Sequence, residues 1–349
     1  MEISKRSQQG GDNSLNIQAE QVTVNNTGLT IAHVKEIALE VFEGNFYKLT
    51  GLARETADKR AREITDQFIQ ELAEKNPAGM QVAEDPDFQH SLFTAQKEFA
   101  RCGDKELGDI LVDILVDRTK QEERSLLQIV LNESLSIAPK LNSEQLDILA
   151  CCFNVGYTRR LNINNVEMFA NYLENGILIF ADPINSKRSN YNHIEFVGCA
   201  SIRMGTRDLI GILTNTYQAI FSKGYPRDAI KAIEDKEPNI IHVHIQCLHD
   251  PALLQPGGMD DDTIKAMCSD RGISEESANQ LIQLNKQYVM NHQEAREFLG
   301  KICPRFPKFL DDAASTQFNS MELTSVGIAI AHAHSRKKAG FDADLSIWI

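Results

Sequence analysis

Three histidines in and just after one β-branched run, His242, His244 and His249, are the residues of this chain best suited to chemistry. Side chains two apart in a strand project from the same face, so His242 and His244 could approach one ion together, with Cys247 or His249 completing a zinc site. That set would serve a metal-dependent hydrolase or a nuclease toxin. The spacing departs from an H-x-H-x-D-H run, which needs Asp and His where Gln246 and Cys247 stand. Histidines whose ring nitrogens are satisfied by neighbouring polar groups are the plainer alternative. His332 and His334 are also two apart, but in a helical segment that sets them about 200° from each other, so one ion cannot take both.

Asp260-Asp261-Asp262 offers carboxylates for Mg²⁺, yet acids ahead of a helix commonly serve its N-terminus, where the helix dipole favours negative charge. Gly10-Gly11 and Gly257-Gly258 lack the spacings that cradle phosphate, and the chain has no G-x-S-x-G elbow. Seven cysteines without CxxC spacing, and no signal peptide, point to reduced thiols in a cytosolic protein. Cys151-Cys152 fall within an apolar helical pattern and read as small buried hydrophobes. A Cys–His nucleophile pair would meet only in space, and no motif marks one. No catalytic set, cofactor or resident metal is therefore assigned.

The 349 residues suffice for two or three domains and a substantial core, and the 42% apolar and 24% charged shares are those of a globular protein. A net charge of −13 argues against broad, charge-driven binding of nucleic acid. Two local basic patches, Lys187-Arg188 and Arg336-Lys337-Lys338, leave a nucleic-acid-binding regulator as an alternative, although solvated loops or helix ends account for both. The longest apolar stretch, Gly176–Ala181, is far too short to span a bilayer.

The elements that must position these residues are mostly helical. Phe46, Leu49, Ala53, Ala57, Ala61, Ile64, Phe68 and Leu72 recur at steps of three and four, which predicts a nearly continuous amphipathic helix from Ile31 to Lys75. Thr30 is its N-cap, and Gly44 and Gly51 are its weak points. From Asp87 to Arg160 the pattern predicts four helices, with Asp104 and Asn142-Ser143 as caps. Two further helices flank a polar loop around Asn185–Asn192. Asn239–Cys247 reads as one strand, Gln255–Gly258 as a loop, and short helices follow to Ala314. Thr324 or Ser325 caps an apolar helix, and Asp344–Ile349 reads as a final strand whose Trp348 docks on the body. A strand, a helix and a strand in that order would suit a winged-helix type of module.

Ahead of all this, Leu15, Ile17 and Ala19, then Val22 and Val24, alternate with polar residues at period two. Two such short strands are marginal alone in water, so they need the body or copies of themselves. The run Gly11-Asp12-Asn13-Ser14-x-Asn16-Ile17-Gln18 resembles a short tag of bacterial conflict and defence proteins. With Leu111–Lys120, Leu323–Ile328 and Asp344–Ile349, the chain resembles an uncharacterised bacterial defence-associated family over its whole length. That resemblance implies a cytosolic bacterial protein with an anti-phage role and brings no catalytic residues. The expectation is a mainly α protein divided into a β tag for oligomerisation (1–28), a long helix with a helical bundle (29–160), and a helical to mixed C-terminal region (161–349). It is read as a non-enzymatic oligomeric sensor or scaffold in the cytoplasm. Leu15, Ile17, Val22 and Val24 would make contacts between copies, and a phage or host protein would be a further partner.

Overall fold

The computed structural model describes residues 29–46, 49–121 and 123–349 and is mainly α. Leu15, Ile17, Val22 and Val24 lie outside the described residues. Instead of one long helix there are two. The Thr30 hydroxyl accepts from His33 N and opens α1 (Ile31–Asn45), while α2 (Gly51–Lys75) starts afresh at Gly51, whose φ of +56° suits only glycine. Gly44 stays inside α1. Ala57, Ala61, Ile64, Phe68 and Leu72 of the expected stripe are buried, but its beginning is not: Leu49 and Leu52 are exposed.

The next four helices fall where their periodicity places them: α3 (Pro86–Cys102), α4 (Lys105–Arg118), α5 (Leu126–Ile137) and α6 (Ser143–Gly156). Each has a side-chain cap, from Asp85, Asp104, Ser125 and Asn142, and Gln145 reaches back to the Asn142 N–H to complete a capping box. α7 (Val166–Tyr172) runs on into a π turn at Leu173–Ile177, and α8 (Arg188–Phe196) follows. The stretch Asn185–Asn192, expected as a loop, is thus helical from Arg188. The cause is Tyr191, which is fully buried and donates its hydroxyl to the Ile184 carbonyl at 2.6 Å.

β1 (Ala200–Ile202), α9 (Leu209–Thr216) and α10 (Lys231–Glu234) lead to the histidine run. There the expected strand shrinks to β2 (His244–Gln246), because Pro238 starts a 3₁₀ turn that continues through Val243. β2 pairs antiparallel with β3 (Leu254–Pro256), so Gln255 and Pro256 belong to a strand and not to the loop expected there. With α11 (Asp261–Ser269) and α12 (Glu275–Tyr288) this segment builds a small core of its own, centred on Tyr225, Ile240, Ile264 and Leu281.

α13 (His292–Ile302) and α14 (Phe306–Ser315) return to the main core, and β4 (Met321–Leu323) pairs antiparallel with β1, Ala200 facing Leu323. α15 (Ser325–Ala339) follows, capped by Thr324 and ended by Gly340 at φ +60°. Every residue from Gly327 to Ser335 is buried, because α4, α5 and α6 surround this helix. The main core consequently crosses residue 160, joining Val34 at one end to Leu345 at the other.

The expected final strand is a 3₁₀ turn, Leu345–Ile347, because the Asp344 side chain accepts from Ser346 N and closes a local turn. β4 takes β1 as its partner, and among the described residues no strand after α15 closes a wing of the winged-helix kind. The docked end is present: Trp348 Nε1 donates to Tyr157 O at 2.8 Å, and its ring meets Phe153 edge-on at 5.0 Å.

Gly327 sets how closely α15 approaches the β1 side, since an added Cβ would collide with the Cys199 carbonyl. Alanine normally gains about 1 kcal/mol over glycine inside a helix. Gly327→Ala is nevertheless expected to destabilise by about 2 kcal/mol or more, because a backbone carbonyl cannot rotate aside. Urea unfolding checks this; an unchanged or raised midpoint would mean that α15 shifts freely.

Candidate functional site

The structure does not assemble the three histidines of the β2 region. His242 is exposed on the 3₁₀ turn. His244 places Nδ1 2.7 Å from Ile240 O and Nε2 2.9 Å from the Tyr225 hydroxyl. A carbonyl only accepts, so Nδ1 carries the proton and Nε2 accepts from Tyr225. Burial pushes the His244 pKa down and the Tyr225 pKa up, which keeps both neutral at pH 7. His249 donates from Nε2 to Ile220 O at 2.7 Å and stands edge-on to Phe298. With both nitrogens of His244 engaged, the trio has no ligand set to offer an ion, and Cys247 is buried with its thiol directed at Ser222 O.

The acidic run is likewise spent on structure. Asp260 caps α11 and pairs with Arg159, and Asp261 pairs with Lys286 at 2.7 Å. All seven cysteines are free, and only Cys102 is exposed. Burial raises the Cys151 and Cys152 pKa values; Arg207, 3.0 Å from the Cys152 sulfur, offsets only part of that rise for Cys152. These thiols are not activated nucleophiles.

The chemically dense region lies instead along the last two turns of α15. Asp113, with a side chain 0% exposed, accepts from Arg336 Nη1 at 2.9 Å and from Lys75 Nζ at 3.0 Å. Asp117 accepts from Arg336 Nη2 at 3.1 Å and from Lys120 Nζ at 2.8 Å. Glu71 holds Lys75 at 2.8 Å and also pairs with Lys337. Burial would raise Glu71 and Asp117, but their cationic partners outweigh it and hold both below the ordinary carboxylate range. Arg336 is lowered by burial and raised more strongly by Asp113 and Asp117, so its guanidinium stays charged. The C-terminal ends of α2, α4 and α15 meet here, and their dipoles favour the same cations. A cleft of about 610 Å³ opens above, lined by Lys75, Lys120, Arg336, Lys337, Asp342 and Asp344. Its cations already hold carboxylates, so Arg336-Lys337-Lys338 does not present a free basic patch to nucleic acid.

One turn away, His334 Nε2 lies 2.8 Å from Asp147 Oδ1 and 3.8 Å from Glu106 Oε1. Lys338 Nζ bridges both Asp147 oxygens at 2.6 and 2.8 Å. Burial raises the Asp147 pKa, and hydrogen bonds from His334 and Lys338 more than reverse that. Among the described residues, Glu106, Asp147 and His334 are the group whose ligand atoms converge closely enough to hold a metal. Glu106 and Asp147 carry no motif that identifies them. The one usable signal was the pair Asp113 and Asp117, acids four apart inside the apolar run of α4, which demanded buried cations from elsewhere.

Two outcomes follow from this electrostatic arrangement. Asp113→Ala leaves Arg336 with Asp117 alone and removes one acceptor of Lys75, and is expected to cost about 3 kcal/mol, measured by urea unfolding; a loss within the ordinary surface range would contradict the burial. For pH, His332 and His244 are depressed by burial, His332 also by the Arg336 charge, so the stability tied to their neutral forms is lost as pH falls below about 6.5. Glu71, Asp117 and Asp147 are depressed as well, so their contribution is present above about pH 4 and is lost on further acidification. Denaturation midpoints should therefore be level near pH 8 and decline in two stages; a level profile down to pH 5 would refute the histidine stage.

Comparison with curated proteins and with solved structures found no match. A family model bearing the description “:-like” matches residues 28–349. That match takes in every helix described above and begins where the N-terminal tag ends, and the chain is accordingly a member of this family.

Proposed function

We propose that this protein is a non-enzymatic oligomeric sensor or scaffold of bacterial anti-phage defence, working in the cytoplasm. Copies associate through the N-terminal tag, with Leu15, Ile17, Val22 and Val24 as the contact residues. The observation that carries this reading is an apolar groove of about 760 Å³ where the end of α1, the start of α2 and the end of α3 meet. Phe46, Leu49, Leu52, Ala53 and Ala57 line it, and Leu52 is 77% exposed. An apolar concavity of this size on a chain of net charge −13 supports association at that place. The proposed occupant is the tag of a second copy: 28 residues at full extension span at most about 90 Å, long enough to reach a neighbouring subunit. Alternating apolar side chains on one face of such a segment suit a shallow apolar trough.

Light scattering on the full chain, on a variant lacking residues 1–27 and on Leu52→Asp tests the proposal. The full chain is expected to be oligomeric, the deletion to reduce it to single copies, and Leu52→Asp to reduce its mass at micromolar concentration with little change in melting temperature. An unchanged mass on deletion rules out the tag. Loss on deletion with no effect of Leu52→Asp rules out the groove.

A further inference from the structure

We propose that Glu106, Asp147 and His334 form a site for one divalent transition-metal ion that ties α4, α6 and α15 together. This is independent of how copies associate. The Asp147–Lys338 salt bridge explains neither why a buried histidine faces Asp147 nor why Glu106 turns toward the same nitrogen. Glu106 Oε1 is 3.8 Å from His334 Nε2, too far to hydrogen bond, and all three ligand atoms lie within 4.8 Å of one another. Donors bound to one ion at about 2.0–2.2 Å stand roughly 3.0–3.5 Å apart, so shifts of a few tenths of an ångström to about an ångström complete the arrangement. One imidazole with two carboxylates is a set suited to zinc, manganese or ferrous iron and poorly suited to calcium.

Charge supports the same assignment. The two carboxylates and the Lys338 ammonium sum to one negative charge. Lys338 already pairs with Asp147, and its side chain is 31% exposed, so its flexible stem can swing the ammonium into water when an ion takes its place on that carboxylate. A divalent ion then neutralises both carboxylates. His334 is 1% exposed, whereas the Glu106 side chain is 35% exposed. The ion thus has an approach from the Glu106 side, and water fills its remaining positions. In the metal-free protein Nε2 faces the Asp147 carboxylate, which only accepts, so Nε2 carries a proton. Metal binding displaces that proton, to Nδ1 or to solvent, and frees the Nε2 lone pair to ligate, with no electron transfer involved.

The test is titration of chelator-stripped full-length protein with Zn²⁺ against a chromogenic competitor, together with the absorption spectrum of the Co²⁺ form. About one equivalent is expected, with a Co²⁺ spectrum of nitrogen and oxygen ligands. Glu106→Gln is expected to weaken binding about tenfold or more, and Lys338→Met to tighten it several-fold. Both residues lie at the rim, so circular dichroism should show both variants folded. Absence of binding, affinity unchanged in Glu106→Gln, or a thiolate charge-transfer band in the Co²⁺ form would each overturn the proposal.

Discussion

A helix with most of its length covered must find inside the protein partners for the charges near its buried part. α15 is buried from Gly327 to Ser335, and its last turns hold His332, His334, Arg336, Lys337 and Lys338, the three cations being 14%, 23% and 31% exposed. Uncompensated, an ion there would be prohibitively costly, so each needs a partner fixed by another element. Asp113 and Asp117 of α4 supply two sites for the Arg336 fork, Glu71 of α2 takes Lys337, and Asp147 of α6 takes Lys338 and faces His334. The positions of α2, α4 and α6 around α15 are in effect specified by these pairs, because a displacement of any one leaves a buried charge behind. Apolar burial supplies the drive to collapse, and the ion pairs select one arrangement of the helices.

Much of the helical scaffold was legible because it depends on local chemistry. Asp104 and Asn142 are side-chain caps read directly from residue type, and the apolar stripes of α2 and α4 identify their buried faces. What failed was the extended structure. Asn239–Cys247 alternates as a strand should, yet Pro238 at the start of a turn and the short reach of β3 leave only three residues paired. Asp344–Ile349 has the composition of a strand and pairs with no strand among the described residues, and the Asp344 side chain closes a local turn instead. Strands are completed by partners distant in sequence, and periodicity carries no information about those partners.

The same reasoning separates the histidines. Proximity in sequence singled out His242, His244 and His249, but His242 is exposed, His244 is committed to Ile240 O and Tyr225 in the small core, and His249 donates to Ile220 O beside the main core. His334 looked unpromising because its neighbour His332 points elsewhere. Its companions, Glu106 and Asp147, come from helices more than 180 positions earlier, where no spacing rule could reveal them.

The lateness of α15 has a kinetic side. Arg336 meets Asp113 across 223 positions and Cys152 approaches the Met321 carbonyl across 169, so the contacts that complete the core close very long loops. Helical proteins usually fold fast because their contacts are near neighbours. Here the early helices can form and associate first, but they must wait, with an open slot lined by Asp113 and Asp117, until the last long helix arrives to fill it. Refolding should accordingly pass through a populated, partly ordered species and finish far more slowly than helix content alone would imply.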